Sequence, residues 1–140
     1  MATHEIMHSW TGNLVTNENW SSFWLNEGLT VFNERKASEK LYGKDFKMVS
    51  ALIGNYSMVT DMQTFGMDHS YSSLSPNLLN DNPDNCFSTV PYEKGFQFLH
   101  FLESLVGEVG FGHFMRDYIH KFKFHTVNTQ SFRNYFELWV

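Results

Sequence analysis

Two histidines four residues apart, His4 and His8, lie near the start of the 140-residue chain, and Glu5 directly follows the first of them. On a helix, residues four apart lie one turn apart on the same face, so both imidazoles can reach a single ion. This is the HExxH pattern, in which the two histidines bind zinc and the glutamate acts as general base. The pattern predicts the metal site of a zinc hydrolase.

A second glutamate, Glu27, follows His8 after 18 residues, within the triplet Asn-Glu-Gly. A catalytic zinc ion takes three protein ligands and leaves one position for water, so Glu27 completes a His₂Glu set. Glu34 lies about two helical turns further along the same face. A carboxylate there can accept the second ring N–H of a ligating histidine, which is our interpretation of Glu34. A solvated helix glutamate is the alternative.

A five-residue motif alone also occurs by chance on charged helices, so the flanking residues carry weight. One other zinc class has the longer pattern HExxHxxGxxH, which requires glycine at position 11 and histidine at position 14. The chain has Thr11 and Leu14 there. The longer pattern is therefore excluded, and the His₂Glu interpretation stands as the prediction.

The composition indicates a folded domain, and we expect neither a nucleic-acid partner nor a membrane span. The chain is 42% hydrophobic, and its net charge of −5 argues against phosphate binding. No apolar run approaches the roughly 20 residues that span a bilayer, and we expect no signal peptide, since the residues before His4 do not form one. A single cysteine, Cys86, cannot form an internal disulfide and suits a reducing compartment. We therefore expect a cytoplasmic protein.

Hydrophobic spacing and glycine stops predict a mostly helical chain. Nothing in the pattern requires a sheet, so we expect an all-α fold. Gly28 is expected to let two helices approach closely. A Ser-, Asn-, Asp- and Pro-rich loop over 66–91 is long enough to suggest a functional role. The helices are expected at about 2–10, 21–41, 45–63, 92–106, 111–122 and 129–138.

Two further side chains near this loop are candidates for chemistry. Tyr92 stands where the loop enters a helix, and its hydroxyl can donate a hydrogen bond to a developing oxyanion. A packing role is the alternative for a tyrosine at a helix start. Asp84 follows Pro83 and has turn formation as its simplest interpretation. Neither residue is decided by its spacing.

Three runs of residues carry a resemblance to a known family. They are 4–17 (HEIMHSWTGNLVTN), 23–28 (FWLNEG) and 91–95 (PYEKG). These runs closely resemble the gluzincin aminopeptidases, and most of all the members that also hydrolyse a lipid epoxide. The resemblance covers positions 3–140. It implies zinc-dependent release of N-terminal residues from peptides, with epoxide hydrolysis as an additional activity.

The resemblance also implies a role for each matching residue. Tyr92 corresponds to the tyrosine that stabilises the tetrahedral intermediate, and Asp84 to the aspartate that directs water to the epoxide lipid. The bifunctional members carry a second tyrosine five residues before the first, where this chain has Phe87. The implied zinc ligands are His4, His8 and Glu27, with one Zn²⁺ per chain and Glu5 as general base.

By the same resemblance, the chain corresponds to the helical lobe of a thermolysin-like catalytic domain. The upstream GxMEN segment, the sheet lobe and the flanking domains of the family have no counterpart in it. We therefore expect a partial catalytic domain over 1–140 whose partners include the missing lobes. Its zinc-binding helices are expected at about 2–43, a helix and substrate loop at 44–91, and a helical remainder at 92–140. A truncated zinc-binding module without enzyme activity is the alternative.

Overall fold

A computed structural model describes residues 2–79 and 81–140, most of which are helical. Short 3-10 helices cover Trp20–Ser22, Ser70–Ser72 and Pro83–Cys86. No helix in these ranges is long and apolar enough to cross a membrane. The all-α prediction is confirmed. The longer elements are α1 (Ala2–Met7), β1 (Val15–Asn17), α2 (Trp24–Tyr42), α3 (Lys44–Phe65), α4 (Val90–Val106), α5 (Glu108–Phe122), β2 (His125–Val127) and α6 (Thr129–Trp139).

Two short strands were not predicted. β1 and β2 pair in parallel, with Val15 opposite His125 and Asn17 opposite Val127. Each strand has three residues, which is too short for an alternating apolar pattern to be recognised in the sequence. The pair joins the segment after α1 to the segment before α6. It therefore ties the histidine-bearing end of the chain to its last helix.

The start of α2 also differs from the prediction. The helix was expected from about position 21, but Asn19 caps a separate 3-10 turn by accepting a hydrogen bond from the Ser22 backbone N–H at 3.0 Å. The regular helix therefore begins only at Trp24. At the other end of the chain, Asn128 is the cap of α6, since its side chain accepts from the Ser131 N–H.

The core lies where α2, α4, α5 and α6 meet. In α5 the buried residues Phe111, Phe114 and Tyr118 follow a spacing of three and four, which places them on one helix face. Phe114 meets Phe132 of α6 edge to face, with ring centroids 5.7 Å apart. Burial of each such side chain stabilises the fold by about 1.5–3 kcal/mol. Because α2 contributes Trp24, Leu29 and Phe32 to this core, it is a rigid support for the residues on its other face.

The backbones of α2 and α4 cross at two glycines. A Cβ atom built on Gly28 would lie 2.7 Å from the Gly95 Cα, closer than real side chains approach. The close approach expected at Gly28 therefore joins α2 to α4. Adjacent helix residues point about 100° apart, so Gly28 faces α4 while Glu27 beside it faces α1.

We expect Gly28→Ala to lower the free energy of unfolding by about 1–3 kcal/mol, because the added methyl group overpacks this crossing. Gly112→Ala is the matched control, since a Cβ there meets no heavy atom within 4 Å and a helical alanine should raise stability by about 0.5–1 kcal/mol. Urea denaturation followed by circular dichroism measures both. Equal effects of the two substitutions would contradict the crossing as described.

Candidate metal centre

Three candidate ligand atoms converge on one point. The helix expected at about 2–10 ends at Met7, so only His4 lies on α1 and His8 is the first residue after it. The His8 backbone N–H still donates to the His4 carbonyl oxygen, which keeps the two side chains on one side, and their Nε2 atoms lie 3.1 Å apart. Glu27 Oε2 on α2 lies 3.2 Å from His4 Nε2 and 3.3 Å from His8 Nε2. The two histidines are partly buried and Glu27 is buried, and the three predicted ligand atoms form a nearly equilateral triangle.

The size of this triangle fits zinc. A tetrahedral zinc ion with ligand bonds of about 2.0–2.1 Å holds its ligand atoms about 3.3–3.4 Å apart. Two imidazole nitrogens and a carboxylate oxygen are also the donors of the His₂Glu catalytic class. Within residues 2–79 and 81–140, this trio is the group of His, Cys, Asp and Glu side chains whose ligand atoms converge in this way.

The second ring nitrogens indicate where the imidazole protons lie. His4 Nδ1 is 3.1 Å from Glu34 Oε2, and His8 Nδ1 is 3.0 Å from the Thr11 carbonyl oxygen. A carbonyl or carboxylate oxygen accepts, so an imidazole that donates from Nδ1 to these oxygens keeps its Nε2 lone pair for a metal ion. This is the hydrogen-bond arrangement that metal-binding histidines need.

Tyr92 lies in the first turn of α4, beside this triangle. Its ring lies nearly parallel to the His4 ring, with centroids 6.2 Å apart, and edge-on to Phe23. Burial raises the pKa of Tyr92 to about 12, and the charge and hydrogen-bond acceptance of Glu27, together with the charge of Glu5, add to the shift. The hydroxyl therefore keeps its proton at neutral pH and can donate it in a hydrogen bond.

The predicted site residues separate into two groups. Glu34 and Tyr92 both lie beside His4 of the candidate ligand set, and Glu5 on α1 is exposed to solvent. Asp84 instead lies on the wall of a neighbouring cavity of about 190 Å³. Phe87 and Phe23 line the same cavity, and none of the three ligands does. Phe23 therefore contacts the Tyr92 ring and also lines the cavity next to Asp84.

A buried ion pair between Arg35 and Glu93 was missed by the sequence reasoning. Arg35 Nη1 and Nη2 donate to the two carboxylate oxygens of Glu93 at 2.7 and 2.9 Å. Nε and Nη2 also donate to Ser50 on α3, and the guanidinium lies 4.3 Å from the centre of the Phe96 ring. No spacing rule links positions 35 and 93. The only signal in the sequence is adjacency, since Arg35 directly follows Glu34 and Glu93 directly follows Tyr92.

Thr30 was also missed. Its hydroxyl oxygen lies 3.2 Å from His8 Nδ1 and 2.9 Å from the Thr11 carbonyl oxygen. The available signal was its position, since residues 27, 30 and 34 share one face of a helix. A threonine three residues after a ligand is nevertheless common enough that the spacing alone does not identify it.

Comparison with known proteins agrees with this geometry. The model of the Peptidase family M1 domain matches residues 1–138. The chain belongs to peptidase family M1. The family resemblance inferred from the motifs is therefore confirmed. The expected enzyme class is confirmed at the level of the family, since relatives of this chain are named aminopeptidases.

Two curated relatives illustrate the similarity. Leucine aminopeptidase 2 of Aspergillus clavatus is 45% identical over 131 residues, which are 93% of this chain and 21% of that protein. Leukotriene A-4 hydrolase of Xenopus laevis is 47% identical over 134 residues, which are 94% of this chain and 22% of that protein. The M1 chain therefore spans about a fifth of the length of these relatives.

Solved structures give the same result for the fold. Native leukotriene A4 hydrolase from Saccharomyces cerevisiae has a TM-score of 0.94 at 40% identity, over 99% of this chain and 22% of that chain. The M1 zinc metallopeptidase from Deinococcus radiodurans has a TM-score of 0.77 at 23% identity, over 98% of this chain and 28% of that chain. The helices described above thus correspond to the helical part of an M1 peptidase.

We expect Arg35→Met to lower the free energy of unfolding by about 3–5 kcal/mol, because the Glu93 carboxylate would remain buried without its partner. The double variant Arg35→Met/Glu93→Met should be less destabilised than the single one, since it removes both charges. Urea denaturation of the two single variants and the double variant measures this coupling.

Arg133→Met is the matched control, since its ion pair with Glu137 is exposed. Loss of such a pair should cost no more than about 0.5 kcal/mol. Simple addition of the two single effects at positions 35 and 93 would show that the buried pair does not act as a unit.

Proposed function

We propose that this chain forms the zinc-binding core of an aminopeptidase that releases residues from the N termini of peptides. The observation that carries the proposal is the triangle of His4, His8 and Glu27, with Glu5 and Tyr92 beside it. Membership of peptidase family M1 and similarity to leucine aminopeptidase 2 support the same reaction class. The chain spans about a fifth of the length of these relatives. The aminopeptidase activity known from the names of such full-length relatives is therefore proposed for this chain.

His4, His8 and Glu27 would hold one zinc ion per chain. When bound, zinc supplies a Lewis acid that acidifies a water molecule and polarises the scissile carbonyl group. The protein contributes the fixed positions of the three ligand atoms. Glu34 and the Thr11 carbonyl oxygen would accept hydrogen bonds from the two Nδ1–H groups. Each imidazole proton would then stay on the side of the ring that faces away from the ion.

Glu5 would act as general base. It directly follows His4 on α1, and its exposure leaves its carboxylate accessible to an attacking water. The carboxylate takes a proton from that water as the C–O bond forms, and it then passes the proton to the leaving amine as the C–N bond breaks. The proton balance of peptide hydrolysis is thereby complete with one carboxylate.

Tyr92 would stabilise the negative charge that develops on the carbonyl oxygen. Its hydroxyl is protonated at neutral pH, as in any tyrosine, and burial and the negative charge of Glu27 raise its pKa further, to about 12. Phe23 and the His4 ring hold the phenol ring from two sides. A donor held in place in this way stabilises the transition state without reorganising during the reaction.

A zinc-binding module without enzyme activity is the second candidate. One observation favours it: apolar side chains on α3 are between 51% and 76% exposed. Such a face promotes association with another surface, and the missing lobes of a longer peptidase are the partner we infer for it. The exposed set comprises Phe46, Val49, Leu52, Ile53 and Tyr56.

In either case we propose a cytoplasmic protein, as the single cysteine suggests.

We expect the purified chain to bind about one zinc ion and Glu5→Gln to retain the zinc while losing hydrolysis of aminoacyl-arylamides. Tyr92→Phe should lower kcat by about 10²–10³-fold and change KM much less, because the hydroxyl acts in the transition state. Atomic emission gives the zinc content, and release of the arylamine gives the rate.

Glu137→Gln is the control, since this exposed carboxylate lies in α6 and takes no part in the site. Retained hydrolysis in Glu5→Gln would rule out Glu5 as general base. Zinc binding without turnover in the unsubstituted chain would instead favour the zinc-binding module.

An epoxide lipid is a further substrate that we propose to test, because one relative is a leukotriene A-4 hydrolase. Asp84 lies on the wall of an apolar cavity next to Phe87. If Asp84 directs water to the epoxide, Asp84→Asn should remove turnover of leukotriene A4 and leave arylamide hydrolysis unchanged. Product analysis by liquid chromatography measures this, and parallel loss of both activities would contradict a role confined to the lipid.

A further inference from the structure

Thr30 is buried at the point where α2 meets the loop after α1. The residue is fully buried, and its hydroxyl oxygen has three polar neighbours. These are Thr11 Oγ1 at 2.7 Å, the Thr11 carbonyl oxygen at 2.9 Å and His8 Nδ1 at 3.2 Å. A hydroxyl with one proton and two lone pairs can satisfy all three at once.

The carbonyl oxygen of Thr11 decides which groups of this cluster donate hydrogen bonds, because a carbonyl oxygen can only accept them. The Thr11 carbonyl oxygen only accepts, so it receives the Thr30 hydroxyl proton and the His8 Nδ1 proton. The Thr30 oxygen then has its lone pairs free for the Thr11 hydroxyl and for the same imidazole N–H. The His8 proton is thus shared between one acceptor in the loop and one on α2.

These contacts complete a pattern on one face of α2. Glu27, Thr30 and Glu34 follow each other at intervals of three and four residues, so they line up along the helix. Glu27 supplies a ligand atom, Glu34 accepts from His4, and Thr30 contacts His8. One face of α2 therefore supplies the candidate ligand Glu27 and one orienting group for each of the two histidines.

We propose that Thr30 is a positioning residue that sets the ring orientation and the proton location of His8, and thereby the strength of zinc binding. The inference rests on the proposed function in that it takes zinc as the ion held by His4, His8 and Glu27. Without the Thr30 hydroxyl, the His8 ring keeps one acceptor but loses the one that links it to the helix carrying Glu27. Its Nε2 lone pair is then free to turn away from the other two ligand atoms.

Two variants at the same position separate the hydroxyl from the packing. Thr30→Val keeps the shape and removes the hydroxyl, while Thr30→Ser keeps the hydroxyl and removes a methyl group. We expect Thr30→Val to weaken zinc binding by about 10–100-fold, as for other groups that orient metal ligands. Thr30→Ser should bind zinc nearly as tightly as the unsubstituted chain.

Competition with a chromophoric chelator measures the zinc affinity of the full chain. Cobalt substitution gives an independent readout, since the visible absorption of bound Co²⁺ depends on ligand geometry and should change in Thr30→Val alone. Thermal unfolding of the zinc-free proteins measures stability. Thr30→Ala removes the same hydroxyl with less bulk and takes the place of Thr30→Val if that variant does not fold.

Unchanged zinc affinity in Thr30→Val, or equally weak binding in Thr30→Ser, would overturn the proposal. So would failure of both hydroxyl-free variants to fold, because Thr30 would then be purely structural. Arylamide hydrolysis measured in parallel keeps the two proposals apart. If Thr30→Val loses zinc and the unsubstituted chain is inactive, the role of Thr30 is supported and the proposed enzyme activity is contradicted. If Thr30→Val is active and keeps full zinc affinity, the enzyme activity is supported and the role of Thr30 is contradicted. A chain that takes up no zinc overturns both.

Discussion

The buried ion pair between Arg35 and Glu93 is the interaction on which the geometry of the site depends. It joins α2 to α4 through two short hydrogen bonds, and Arg35 also reaches Ser50 on α3. Helix α3 makes room for the pair at Gly54, where a Cβ would lie 2.2 Å from the Glu93 carboxylate. Every guanidinium nitrogen is engaged, so the charge is compensated in a buried position. We infer that this pair selects one arrangement of the three helices more than it adds to the stability of the folded state.

Its effect on the site follows from sequence adjacency. Arg35 follows Glu34, which contacts His4, and Glu93 follows Tyr92, which stacks beside the same imidazole. The pair therefore connects, through rigid helix backbone, two groups that approach His4 from opposite helices. The glycine crossing of α2 and α4 acts in the same direction by bringing the two backbones together. A small shift between these helices would move the tyrosine hydroxyl relative to the ligand triangle, and such displacements are costly for catalysis.

The sequence was most informative where a local rule applies. The spacing of His4 and His8, and of Glu27 and Glu34, follows from helical periodicity, and the structure brings these residues together as that periodicity requires. Tyr92 and Asp84 came from the family resemblance, and only the coordinates separate the space beside the ligands from the cavity beside Asp84. Arg35–Glu93 and the β1–β2 pairing join residues 58 and 110 positions apart. No short-range pattern predicts such partners, because their meeting depends on how the helices pack.

This distribution suggests that metal binding and chemistry depend on different parts of the fold. The three ligand atoms and the groups that orient them all lie within residues 4–34, on α1, α2 and the loop between them. Tyr92 arrives from α4 and is held there by the ion pair, the glycine crossing and the core. Loss of the contacts between α2 and α4 would therefore displace Tyr92, the proposed oxyanion donor, while the local arrangement of α1 and α2 could still bind the ion. A zinc-loaded but inactive state is thus a natural failure mode of this architecture, and it differs physically from loss of the metal through a misoriented histidine.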